Sequence, residues 1–282
     1  MLMTLTAARS AMARARQTDV LATRAGRCAE WRLSRVLGSG RWTRVYQARP
    51  RSLPADGPAD YALKVVRREF EKHPLAVATL KREMLVARQV SHPNLPSVLG
   101  DYLARPPFHL VMPHLEGATL RELLNRGTPT RPLRLATGLW IARQVAEGLG
   151  ALHHALWLHS DVKPENILIS PQGHATLLDL GLARRLGSAE CATSHSLQVT
   201  PAHSPPEAIL PRQQLTAASD MYSLGSVLFE MLAGRPLFPD SDPAQLALAH
   251  LQQAAPKLQT FVPHAPADLS RLVELEIETL GE

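Results

Sequence analysis

Asp161, Lys163 and Asn166 lie within one short stretch, His159-Ser-Asp-Val-Lys-Pro-Glu-Asn166, and Asp179 follows with Leu180 and Gly181. An Asp and an Asn in one short loop can serve two roles: the carboxylate accepts a proton, and the amide oxygen ligates a hard cation. Lys163 adds a point charge suited to a phosphate. Between Asn166 and Asp179 the pattern predicts two short strands, Ile167 to Ile169 and Thr176 to Leu178, about Pro171, Gln172 and Gly173. A hairpin there returns Asp179 to the same place. Two oxygen ligands plus a nucleotide's own oxygens suit Mg2+, which keeps few protein ligands.

A second set lies upstream. Gly38, Ser39 and Gly40 fall between two alternating stretches. Glycines at a hairpin tip let backbone N–H groups approach phosphates without a Cβ clash, although a plain tight turn would use the same residues. Lys64 lies within Tyr61 to Val66, a stretch that reads as a buried strand. A lysine there is expensive unless it meets an anion; the alternative is an edge lysine that snorkels to water. Glu83 lies beside Leu80 and Ala87 on the inward side of a predicted helix, or else is a solvated surface acid.

The elements that must position these residues follow from pattern. Trp31 to Leu37 and Arg44 to Ala48 alternate as strands, and Pro50 to Pro58 reads as a loop. Leu80, Met84 and Ala87 have helical spacing, stopped at His92 and Pro93, and Phe108 to Met112 is a strand ending at Pro113. Downstream, Leu139, Ala142, Val145, Leu149 and Leu152 predict one stripe of a long helix. Asp220 to Leu232 reads as a helix with Gly234 as its C-terminal cap, and Leu269 to Leu280 as a last helix. No internal repeat is visible.

In order and spacing these motifs resemble the eukaryotic-type Ser/Thr protein kinases: Gly-rich loop, third-strand Lys, helix Glu, catalytic loop and a D-F-G-like triplet. Further pieces are similar, Thr200 to Glu207 to the end of an activation segment, and Ser219 to Gly225 to the helix that anchors the catalytic loop. The resemblance implies an α+β, bilobal protein-kinase-like fold, with a small β-rich N-lobe (30–113) and a larger α-helical C-lobe (114–282), possibly truncated at the C-terminus. It implies ATP and Mg2+ as cofactors and a protein substrate phosphorylated on Ser or Thr. In that pattern Lys64, paired with Glu83, holds the α- and β-phosphates beneath Gly38, Ser39 and Gly40. Asp161 orients and deprotonates the acceptor hydroxyl, Lys163 neutralises the transferring phosphoryl group, and Asn166 and Asp179 hold Mg2+. Val45, Ala62 and Leu168 sandwich the adenine, Met112 is the gatekeeper, and Leu115 supplies an N–H to the adenine after Pro113. Lys163 with Pro164 and Glu165, and Thr200 before Pro201, indicate Ser/Thr rather than Tyr as acceptor.

The departures also carry expectations. Thr43 stands for the third glycine, Leu180 for the Phe of D-F-G and Pro205 for the Ala before Pro206 and Glu207. Ser160 stands for the Arg that in the family pairs with an activation-loop phosphate, so activity is expected not to need phosphorylation of Ser188, Thr193, Ser194 or Ser196. Glu207 usually pairs with a late Arg; here it either lacks that partner, or Arg271 or Arg212 substitutes. Thr43 and Ser160 motivate an alternative, a pseudokinase acting as a binding scaffold. A small-molecule kinase is the third reading, opposed by Lys163, Thr200 to Glu207 and Asp220.

Composition narrows the rest. The chain has 282 residues, 45% hydrophobic and 20% charged, with a net charge of +6 that is too dilute to imply nucleic acid. Lys occupies only 64, 72, 81, 163 and 257 among 31 basic residues, and Lys64 and Lys163 are the two at positions where the resemblance implies an ammonium against phosphate. Abundant Ala, Arg, Leu and Pro suggest a GC-rich, bacterial genome. Two cysteines, Cys28 and Cys191, make neither a disulfide framework nor a zinc site. With no apolar run of spanning length, a cytoplasmic protein without a membrane span is expected. Residues 1–29 are Ala- and Arg-rich and read as a flexible arm, with a transit peptide as the alternative. Oligomeric state is not legible.

Overall fold

The computed structural model describes residues 30–54, 56–126, 132–188, 201–210, 213–239 and 242–278. The expected arm (1–29), Cys28, Cys191, Thr193, Ser194, Ser196, Thr200 and Arg212 lie outside the described residues. The chain forms two compact units, one comprising residues up to Met84 plus Ser97–Leu115, the other Leu85–Pro96 plus the residues from Glu116 onward.

The first unit is an antiparallel sheet of five strands, β1 (Trp31–Ser39), β2 (Thr43–Pro50), β3 (Tyr61–Val66), β4 (Gly100–Tyr102) and β5 (His109–Pro113), in the order β1-β2-β3-β5-β4. Strand alternation gives the sheet two distinct faces. Ala48, Leu63 and Val111 bury one face with Trp31 and Tyr61, whose rings meet edge-on with centroids 5.0 Å apart. On the other face Val66, Leu110 and Trp42 pack against Ala76 and Leu80 of α1 (Pro74–Gln89). Pro74 opens α1 at the position where its missing N–H costs nothing.

The second unit is mainly helical. Its elements are α2 (Leu120–Leu124), α3 (Leu135–His154), α4 (Pro206–Ile209), α5 (Ala217–Ala233), α6 (Pro243–Gln252), α7 (Leu258–Phe261) and α8 (Ala267–Glu278). Short strands β6 (Ala118–Thr119), β8 (Ile167–Ile169) and β9 (Ala175–Leu177) pair in the order β6-β8-β9, and β7 (Trp157–Leu158) pairs with β10 (Arg184–Arg185). The core gathers Val145, Leu149 and Leu152 of α3, Val227, Phe229 and Met231 of α5, and Leu269 and Val273 of α8. Gly234 ends α5 at φ 72°, a left-handed cap that glycine adopts without steric cost.

One side-chain expectation needs correction. Leu139 is 37% exposed, and Gly138 and Ile141 take its place on the buried stripe of α3, because a 3.6-residue period runs 138, 141–142, 145, 148–149, 152. Leu272 likewise lies 48% exposed on α8 between the buried Leu269 and Val273.

Candidate active site

In the first unit, cross-strand register sets which side chains share a face. Val45 lies opposite Lys64, Lys64 opposite Leu110, and Ala62 opposite Met112, so Val45, Ala62, Lys64 and Met112 share the face that also carries Val66 and Leu110. Lys64 Nζ donates to Glu83 Oε2 at 2.6 Å, with side chains 7% and 3% exposed. This excludes both the snorkelling lysine and the solvated acid, since an ammonium this deeply buried requires its carboxylate. Gly38 pairs with Val45 and Ser39 with Arg44, and Gly40 N–H closes the turn on Thr43 O at 2.9 Å. A Cβ on Gly38 would meet nothing within 4 Å, and one on Gly40 would meet Thr43 Oγ1 at 3.5 Å. The hairpin itself therefore does not demand these glycines. Leu115 follows β5, 41% exposed.

In the second unit, β7 delivers His159 and the loop after it, and β8 and β9 return the chain to Asp179. Asp161 Oδ1 accepts from Lys163 Nζ at 2.8 Å, and its Oδ2 from Asn166 Nδ2 at 2.8 Å. The same Asn166 nitrogen bonds Asp161 O at 2.9 Å. The amide nitrogen is thus committed to Asp161, and the amide oxygen is the atom of Asn166 suited to a cation. Asp179 accepts from Gly181 N–H at 3.2 Å in a left-handed conformation, φ 65°. Burial pushes the Asp161 carboxyl up, with Asp179 adding to it and Lys163 opposing it. A carboxylate raised in this way is a better proton acceptor. Leu168 lies on β8, opposite Thr119 and Thr176.

The loop is held from beneath by Asp220 of α5, itself 2% exposed. Its Oδ2 accepts from His159 N and from His153 Nε2, and its Oδ1 from Ser160 N, each at 2.8 Å. His159 Nδ1 accepts from Asp161 N at 3.3 Å, which places the imidazole proton on Nε2, donated to Leu178 O at 3.0 Å. His159 thus ties the loop to the strand leading into Asp179. Ser160 sits at φ 65°, with its Oγ buried and without a hydrogen-bond partner among the described residues.

A second ionic cluster was not legible beforehand. Arg121 Nε donates to Glu165 Oε1 at 2.7 Å, and its Nη1 and Nη2 to the two oxygens of Glu230 at 2.5 and 3.1 Å. His203 Nε2 lies 3.1 Å from Glu230 Oε2 and 3.4 Å from Arg121 Nη2. Burial pushes the Glu230 carboxyl up, but the hydrogen bonds from His203 and Arg121 outweigh it and hold it down to about 2. The signal for α2 was present: Thr119 and Glu122 form a capping box, with Glu122 N to Thr119 Oγ1 at 3.2 Å and Thr119 N to Glu122 Oε2 at 3.0 Å. Nothing local announces that Arg121 between them reaches Glu230, 109 residues away.

Of the alternatives for Glu207, pairing with Arg271 is excluded. Glu207 Oε1 accepts from Ser219 Oγ, whereas Oε2 is buried without a partner among the described residues; Arg271 is exposed and does not pair with it. Ser219 also accepts from Thr216 N at 2.9 Å at the start of α5, which fixes its hydroxyl toward Glu207.

The family model for the protein kinase domain matches residues 31–275. The serine/threonine-protein kinase PrkC of Bacillus subtilis is 30% identical over 244 residues, 86% of this chain and 36% of PrkC. The probable serine/threonine-protein kinase PknB of Lactococcus lactis is 27% identical over 245 residues, 86% of this chain and 38% of that protein. The serine/threonine-protein kinase PknB of Mycobacterium leprae is 30% identical over 229 residues, 79% of this chain and 35% of its own length. The chain spans little more than a third of the length of these curated relatives.

Proposed function

This chain belongs to the protein kinase domain family, and on that premise we propose that it transfers the γ-phosphoryl group of ATP to Ser and Thr hydroxyls of a protein substrate. The observation that carries this reading is the Asp161 carboxylate, buried, raised in proton affinity and oriented by both Lys163 and Asn166. A pseudokinase scaffold would have no need to hold such a group ready. The curated relatives named above are Ser/Thr kinases, which supports the acceptor class.

Roles follow from what each residue can do. Lys64, paired with Glu83, meets the α- and β-phosphates. Gly38, Ser39 and Gly40 let a phosphate approach the backbone with no side chain above the two glycines; Gly40 N–H is bonded to Thr43 O, and the turn would tolerate a Cβ at Gly38. That spare room is what a phosphate approaching the backbone requires. Val45, Ala62 and Met112 on the same sheet face, with Leu115, take the base. Asp161 orients the acceptor hydroxyl and takes its proton, and Lys163 offsets charge on the transferring group.

Mg2+ is tested by the donor set. Asn166 offers an amide oxygen and Asp179 a carboxylate, hard donors close enough to Asp161 for the two acids to repel. Among the described residues no group of three or more His, Cys, Asp or Glu could hold a metal. Two protein oxygens fit Mg2+, which binds through one or two such ligands plus phosphate oxygens. The ion would supply charge neutralisation between the phosphates. No helix among the described residues is long and apolar enough to cross a membrane. We place the domain in the cytoplasm, where ATP and Mg2+ are supplied.

The test is transfer of radiolabel from Mg-ATP to a mixed protein acceptor, followed by phosphoamino-acid separation. Label on Ser and Thr, abolished in Lys64→Met, is expected. Label on a small alcohol but never on protein would sink the proposal.

A further inference from the structure

The ionic cluster around Arg121 has no part in the chemistry above, yet it joins four segments around the loop that carries Asp161. Arg121 stands on the short helix α2, fixed by the Thr119–Glu122 capping box and by the fully buried Leu120. Glu165 belongs to the loop that carries Asp161, directly before Asn166. Glu230 belongs to α5, the helix whose Asp220 anchors that loop. His203 ends the turn Pro201–His203, which leads through the buried Ser204 into α4.

Both carboxylate oxygens of Glu230 meet donors: Arg121 Nη2 and His203 Nε2 face each other at 3.4 Å, each directed at Oε2. Ser226 Oγ lies 3.1 Å from His203 Nδ1 and can donate to it, which leaves the Nε2 proton for Glu230. The Arg121 guanidinium is bidentate on Glu230 and turns its Nε to Glu165, a division of donors that a lysine ammonium cannot reproduce. His203 and Glu230 side chains are 2% and 7% exposed, so water does not substitute for a lost partner.

We infer that Arg121 is a positioning residue: through Glu165 it fixes the loop carrying Asp161, and through Glu230 and His203 it fixes the turn Pro201–His203, with ion pairs internal to the chain and no phosphate. The inference rests on the kinase reading for its meaning, because the acceptor is what these two segments would hold. It gives Ser160 a physical counterpart. Where that position offers a hydroxyl and no cation, the link between the two segments is made elsewhere, by Arg121.

Hydrogen exchange read by mass spectrometry on the full chain tests the clamp independently of activity. Arg121→Met is expected to speed exchange in 161–166 and 201–210 while leaving β3 unchanged, with Arg121→Lys in between. If Arg121→Met alone fails to fold, Arg121→Met with Glu230→Met removes both buried charges together and should show the same local loosening. On phosphatase-treated protein, the same variants should raise the KM for a peptide acceptor by roughly tenfold, the middle of the range for coupled charge pairs. The KM for ATP should stay put, a split that general destabilisation would not produce. Unchanged exchange in 201–210, or loss of acceptor binding by phosphatase-treated wild type, overturns the clamp. If exchange responds as described but wild type transfers no phosphate, the clamp stands and the kinase reading falls.

Discussion

Replacing Asp220 by Asn changes one atom and probes the whole support of the catalytic loop. Asp220 accepts three hydrogen bonds at 2.8 Å, two on Oδ2 and one on Oδ1. An amide has a single acceptor oxygen. In its better orientation that oxygen keeps His159 N and His153 Nε2, and the NH2 group then faces the N–H of Ser160, donor against donor. The orphaned buried donor costs about 1–3 kcal/mol, and the two surviving bonds drop from charge-assisted to neutral at about 1 kcal/mol each. The sum is a loss of about 3–5 kcal/mol, read as a lower urea midpoint. Ser160, held at φ 65° by that bond, is then free to relax toward ordinary backbone angles and to carry Asp161 with it. A displacement near 1 Å costs about 100-fold in rate, so kcat falls while the KM for ATP changes little. An Asp220→Asn protein within about 1 kcal/mol of wild type, with unchanged kcat, would refute this account of the loop.

Leu156 occupies a left-handed conformation, φ 62°, while 52% exposed, so Leu156→Asn should stabilise the fold by about 0.5–1 kcal/mol, read as a higher urea midpoint; a lower midpoint would contradict the strain. Gly38→Ala should leave stability within about 0.5 kcal/mol, because its Cβ meets nothing, yet raise the KM for ATP; an unchanged KM would return the turn to an ordinary hairpin. Burial, with His203 nearby, lowers His250 to about 4, while Tyr222 OH lies 2.6 Å from its Nδ1. A folded value below the unfolded one means that stability is complete above about 6.5 and is lost as pH falls toward 4, by at most about 1.4 kcal/mol per pH unit. His250→Gln should flatten the slope of stability against pH in that window, and an identical slope would refute the assignment.

The residues that chemistry constrains most were the most legible. Lys64, Asp161, Asn166 and Asp179 were singled out because each proposed role admits few residue types at fixed spacing. The structure does bring Lys64 to Glu83, and Lys163 and Asn166 to Asp161. Long elements were legible through periodicity, with Gly234 marking the end of α5. Short ones were not: β4 has three residues, fewer than alternation needs to show, and α2 was overlooked despite its Thr119-x-x-Glu122 signature. Exposure of Leu139 was misjudged because a stripe read from leucines alone ignores Gly138 and Ile141. Pairings made at long range, such as Arg121 with Glu230 or Asp220 with His153, leave no local trace; only the fold brings them together.

The central claim is that Asp161 is the base of a phosphoryl-transfer site. The most direct measurement compares wild type with Asp161→Asn for both nucleotide affinity, by titration calorimetry with Mg-ATP, and the rate of transfer to one peptide acceptor. Asn keeps the size of the side chain and removes its ability to take a proton. The account predicts equal affinity and a kcat lower by about 100- to 10,000-fold. Equal rates in the two proteins would contradict it.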